Sequence, residues 1–93
     1  MSWRLCVPAG ELAWRRWEGE LVVFNPLSGA THVLDVASAE VLHALMAGPT
    51  GRDDLAGRLA TLLEVEAGAE ARAATDKILE DLDRLGLAEP AAA

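Results

Sequence analysis

Between Trp14 and Ala47 the apolar positions of the chain change period. Leu21-Val22-Val23-Phe24 is a run of β-branched and large apolar side chains suited to a pleated, half-buried surface. Asn25-Pro26-Leu27-Ser28-Gly29 then supplies residues that reverse a chain: Pro presets φ, Gly admits positive φ, and Asn and Ser bond their own backbone. A second short run, Thr31-His32-Val33-Leu34, follows. After Asp35 the spacing becomes Val41, Leu42, Leu45, Met46, the stripe of one helix face.

These periods predict six elements. Leu12 to Glu18 and Glu20 to Asn25 pair as a hairpin around Glu18-Gly19, and Thr31 to Leu34 adds a third antiparallel strand across the turn from Pro26 to Ala30. Three strands alone are marginal, so helices must cover one face. Helix one is expected from Ser38, as N-cap, to Ala47, where Gly48-Pro49 stops it. Helix two opens at Thr50, where Thr-Gly-Arg-Asp approximates a capping box, and carries Leu55, Leu59, Leu62 and Leu63. Gly68 interrupts the pattern. Helix three, from Glu70 to Leu85, places Ala71, Ala74, Ile78, Leu82 and Leu85 on one stripe and ends at Gly86. The fold class so predicted is α+β, a winged helix-turn-helix-like arrangement of a three-stranded antiparallel sheet followed by three helices. Residues 1–93 read as a single domain with an ordered core of about 3–88, and only the ends are expected to be disordered.

Charge changes this picture, because a winged helix most often suggests DNA. The formal charge is -7, from 15 acidic against 8 basic side chains, and ten of the acids fall between residues 53 and 89. Helix three would present Glu70, Asp76, Glu80, Asp81 and Asp83 against Arg72, Lys77 and Arg84. Binding to a phosphate backbone is driven by Lys and Arg that release counterions, so this face repels nucleic acid. The lone cysteine, Cys6, cannot form an internal disulfide, which fits a reducing, cytoplasmic compartment. No apolar run approaches the roughly 20 residues of a membrane span, and no signal-like run follows Arg4, so no membrane is expected.

The chemical inventory is spare. There is no nucleophile with a base beside it, no glycine-rich phosphate cradle and no metal-ligand spacing, so neither catalysis nor a cofactor or metal is expected. His32 and His43 lack a second Cys or His to complete a shell, and Cys6 reads as an inert thiol. Asp53-Asp54 most simply favour the positive end of helix two. Trp3 reads as a packing anchor. Trp14 and Trp17 stand three apart, which puts them on opposite faces of a strand, with at least one expected in the core.

Taken in order, Trp14-Arg15-Arg16-Trp17, Gly19-Glu20, Val22-Val23, Asn25-Pro26, Ser28-Gly29, Thr31-His32, Leu34-Asp35 and Leu82-Asp83-Arg84-Leu85-Gly86-Leu87 resemble the PqqD family of precursor-peptide recognition elements. The likeness extends from Trp3 to Glu89 and is nearest the branch called the HPr-rel-A system PqqD family peptide chaperone. It implies a non-catalytic adaptor that holds the leader segment of a precursor peptide as an extra strand beside the third strand, packed against helix three, and delivers it to a modifying enzyme. The branch name further implies an HPr-kinase-related partner. A sheet edge offers unpaired N–H and C=O groups that an extended peptide can use. The expected peptide-binding residues are Thr31, His32, Val33 and Leu34 on the edge. On the helix flank they are Arg72, Thr75, Asp76, Leu79 and Asp83, with Leu79 as an apolar floor and the acids as a rim for a basic or amphipathic peptide. Self-association into a homodimer is left open. The alternative function is an acidic winged-helix module for protein interaction or transcription.

Overall fold

The computed structural model describes residues 2–66 and 68–91. In chain order the elements are β1 (Ser2–Leu5), a 3-10 turn (Ala9–Glu11), β2 (Ala13–Trp17), β3 (Glu20–Asn25), β4 (Ala30–Leu34), α1 (Val36–Met46), β5 (Thr50–Gly51), α2 (Arg52–Leu63), α3 (Ala69–Arg84) and β6 (Ala88–Pro90). The fold is α+β, as the periods predict.

The meander β2-β3-β4 is wholly antiparallel. Its first turn, Glu18-Gly19, has positive φ at both residues, 49° and 84°, the mirror-image turn whose twist matches the flanking strands. Alternation along β3 buries Leu21, Val23 and Asn25 on one face and leaves Phe24 exposed on the other. The buried face meets α1, whose Val41, Leu42 and Leu45 join Leu21, Val23, Leu34, Leu79 and Leu82 in one core cluster.

A second sheet, ordered β5-β1-β6, was not anticipated. It pairs Trp3 with Thr50 on one side and with Pro90 on the other, so both ends of the chain are tied to the connection between α1 and α2. Of the ends expected to be disordered, Met1, Ala92 and Ala93 lie outside the described residues, whereas Ser2–Leu5 and Ala88–Pro90 are strands. Trp3 and Leu5 pack partly against the core, in keeping with an anchoring role for Trp3.

Helix boundaries differ where caps decide them. α1 begins at Val36, because Asp35 rather than Ser38 is the N-cap: its carboxylate accepts from the Ser38 N–H at 2.8 Å. Thr50 does not cap α2. It lies in β5, its hydroxyl donates to the Gly48 carbonyl at 3.0 Å, and Gly51 takes the cap position with no side-chain bond. The buried stripe of α2 is Leu55, Ala56, Leu59 and Ala60, while Leu62 and Leu63 project to solvent beyond the covered turns. α3 ends in a Schellman motif: Gly86, at φ 77°, donates to Asp83 O and Leu87 donates to Leu82 O.

Candidate functional site

Among the described residues β2 and β4 pair only with β3, so each edge of the meander is open. Along β4 the cross-strand register puts His32 opposite Val23 and Leu34 opposite Leu21 on the inner face, and Thr31 and Val33 on the outer one. Leu34 is accordingly buried, His32 half-buried, and Thr31 and Val33 exposed. The four predicted edge residues therefore lie together, with their main chain open on one side.

The inner face carries an unexpected pair of histidines. Trp14, Val23 and His32 form one row across the sheet, and His43 from α1 meets the Trp14 ring edge-on, with centroids 5.0 Å apart. Nε2 of His32 and Nε2 of His43 are both buried and have no hydrogen-bond partner among the described residues. Trp14 and Trp17 do lie on opposite faces, but neither enters the core. They are 46% and 58% exposed, on an edge strand whose five residues are all exposed.

The helix flank departs from expectation. Thr75 and Leu79 are 0% and 1% exposed, so they belong to the interior and offer no floor to a partner. The Thr75 hydroxyl is satisfied within its own helix, donating to the Ala71 carbonyl at 2.7 Å. Arg72 and Asp76 are turned to the start of α2. Asp76 accepts a two-pronged hydrogen bond from Arg52, at 2.5 and 2.8 Å, and Arg72 lies 3.5 Å from an Asp53 oxygen. Asp83 is exposed. The buried stripe is thus Ala71, Thr75, Leu79 and Leu82, rotated from the predicted one, and Ala74, Ile78 and Leu85 are left half-buried on the flank away from those ion pairs. Ile78 sits about 160° round the helix from Asp76. A buried threonine hides this rotation in the sequence. The i, i+4 spacing of Ala71, Thr75 and Leu79 was the available signal.

A groove of about 460 Å³ runs past Arg4, Cys6, Leu45, Met46, Pro49 and Glu89. Burial first, and then the Glu89 and Asp83 carboxylates, raise the Cys6 thiol above its ordinary pKa against the opposing pull of Arg4, the reverse of what a nucleophile needs. Among the described residues no group of three or more His, Cys, Asp or Glu side chains is placed to hold a metal ion, and no helix is long and apolar enough to cross a membrane.

The described residues form a small α+β domain whose meander has two open strand edges, the kind of edge to which an extended segment can add. The chain belongs to the family described as coenzyme PQQ synthesis protein D (PqqD), whose model matches residues 20–88. Two solved structures share its fold. One is TbiB1 in complex with the TbiA(beta) leader peptide, with a TM-score of 0.71, 16% identity, and coverage of 89% of this chain and 94% of that one. The other is a lasso peptide synthetase B1 complexed with the leader peptide, with a TM-score of 0.71, 25% identity, and coverage of 95% and 98%. No curated protein matches the chain.

Proposed function

We propose that this protein is a non-catalytic adaptor that holds the leader segment of a precursor peptide as an added strand on β4 and presents it to a modifying enzyme. The observation that carries this is the unpaired side of β4, where Thr31, His32, Val33 and Leu34 keep a ladder of main-chain groups free beside a packed core. Family membership and the two leader-peptide complexes of the same fold support it.

The contribution of α3 is assigned to the flank away from α2. A strand laid on β4 meets Ala74, Ile78 and Leu85, of which Ile78 and Leu85 pack against the core, with Asp81 as an acidic rim toward a basic or amphipathic segment, whereas Asp83, seven residues on from Asp76, shares the opposite face. Arg72 and Asp76 act in holding α2 to α3. The recipient is a modifying enzyme or, as the branch resemblance implies, an HPr-kinase-related protein. Titration of labelled protein with the leader segment of its precursor tests the assignment. Alternate amides within Ala30–Leu34 should gain protection, and protection gained on the α1 and α2 surface would refute it.

No observation favours duplex DNA. Of the three basic side chains on α3, Arg72 lies against Asp53 and Arg84 against Asp81, which leaves Lys77 facing an acid-rich helix surface.

A further inference from the structure

The opposite edge of the meander has a different chemistry. Five of the eight basic side chains, Arg4, Arg52, Arg58, Arg72 and Arg84, have a carboxylate within ion-pair reach. Among the described residues Arg15 and Arg16 have none, although Glu18 and Glu20 are close in sequence, and both arginines sit in β2. All five residues of β2 are exposed, and its outer side is unpaired. In a chain of formal charge -7 these are two guanidinium groups free of an ion pair, in a hairpin that also carries Glu18 and Glu20.

Alternation arranges these groups for an extended partner. Arg15 and Trp17 share one face of the strand, the guanidinium lying 5.9 Å from the ring centroid, and Trp14 and Arg16 share the other. Each face of the edge therefore offers one cation and one indole. A shallow, mainly apolar groove of about 190 Å³, lined by Ala13, Trp14, Arg15, Val22 and Phe24, adjoins it.

We propose that β2 is a second docking edge, taking an acidic, extended segment of a partner protein by strand addition: its carboxylates meet Arg15 and Arg16 while an apolar side chain enters the groove. Charge complementarity selects this occupant. A second copy of the chain pairing antiparallel over the full length of β2 would set Arg15 opposite Arg15, which is destabilising. The leader site proposed on β4 lies across the same sheet, so both edges can be occupied together, and the β2 proposal stands whatever β4 binds. Such an arrangement joins a precursor and an acidic partner through a three-stranded bridge.

The test is an NMR titration of the full chain with a short peptide alternating glutamate and valine, with its lysine–valine counterpart, and with oligothymidylate. The acidic peptide should shift the amides of residues 13–17 and the indole N–H signals of Trp14 and Trp17. The double variant Arg15→Glu/Arg16→Glu, exposed and therefore still folded by circular dichroism, should weaken binding about tenfold or more. If the arginines only guard the edge against self-pairing, residues 13–17 stay unshifted at millimolar peptide, and the proposal fails. Equal shifts with the lysine peptide, shifts confined to residues 30–34, or preferential binding of the oligothymidylate also overturn it.

Discussion

The side-chain amide of Asn25 donates to the main-chain carbonyl of Gly86 at 3.4 Å, which ties the turn of the meander to the end of α3 across 61 positions of sequence. The same side chain's oxygen accepts from the Leu27 N–H at 2.9 Å, and Asn25 is 3% exposed, so one residue both closes its own turn and docks the sheet on the helix. Asn25→Ala should cost about 1 to 3 kcal/mol, read as a lowered thermal midpoint. Asn25→Asp keeps the turn acceptor but sets a carboxylate oxygen against the Gly86 carbonyl, so it should be at least as damaging. An aspartate variant more stable than the alanine one would show that the link to Gly86 contributes nothing.

Truncation of the core separates packing from binding on α3. Leu79 and Leu82 are each 1% exposed in the main cluster, and either Leu→Ala change should cost about 2 to 5 kcal/mol. Leu79→Asp buries an unpartnered charge and should unfold the domain rather than report on a peptide. A cooperative thermal transition near the parent midpoint for Leu79→Asp would contradict the observed burial.

Glu64 ends α2 with φ 56°, accepting left-handed backbone without being glycine. Its N–H donates to Thr61 O and the Val65 N–H to Ala60 O, the bonds of a Schellman motif. The side chain is exposed, so Glu64→Gly relieves the strain without disturbing the core. Set against the extra entropy of glycine in the unfolded chain, the gain should be about 0.5 to 1 kcal/mol. Chemical denaturation measures it, and a lower midpoint for the glycine variant would count against strain at this cap.

Cys6 offers a pH dependence. Burial and the carboxylates of Glu89 and Asp83 raise its pKa, so in the pH range just above the ordinary thiol value the folded protein keeps the thiol protonated while the unfolded chain ionises. Only the thiolate reacts, so alkylation by iodoacetamide should climb with pH later in the folded protein than in denaturant. Unfolding is favoured as pH rises through that same window. Coincident pH profiles in the two states would remove the argument.

Local signals carried most of the sequence reading. The meander emerges within a residue or two because a period of two and the turn residues Glu18-Gly19 and Asn25 to Gly29 are set by neighbours in the chain. The sheet β5-β1-β6 was invisible because its strands are two to four residues long and pair Trp3 with positions 50 and 90, partners that no short window contains. The edge Thr31 to Leu34 was legible for the same reason as the meander. The flank of α3 was misphased because Thr75, satisfied by Ala71, is buried as readily as an apolar residue, while Ile78 and Leu85 are left at the margin of the core.

That rotation sets the decisive experiment on the proposed leader site. If the peptide lies between β4 and the Ile78 flank, Ile78→Ala should weaken leader binding by about 1 kcal/mol, roughly fivefold in Kd. The thermal midpoint of each variant, taken alongside, separates a weakened interface from a damaged fold. Arg72→Ala and Asp76→Ala should leave Kd unchanged, because those side chains are turned to Asp53 and Arg52 at the start of α2. Thr75→Val should also be silent in binding, since its hydroxyl bonds only the Ala71 carbonyl inside the helix. In hydrogen exchange the added strand should protect every second amide of Ala30–Leu34, because alternate residues of an antiparallel edge point outward. The reverse result, with Kd sensitive at Arg72 and Asp76 and indifferent at Ile78, would move the peptide to the α2 side of α3 and leave the β4 edge without its helical wall.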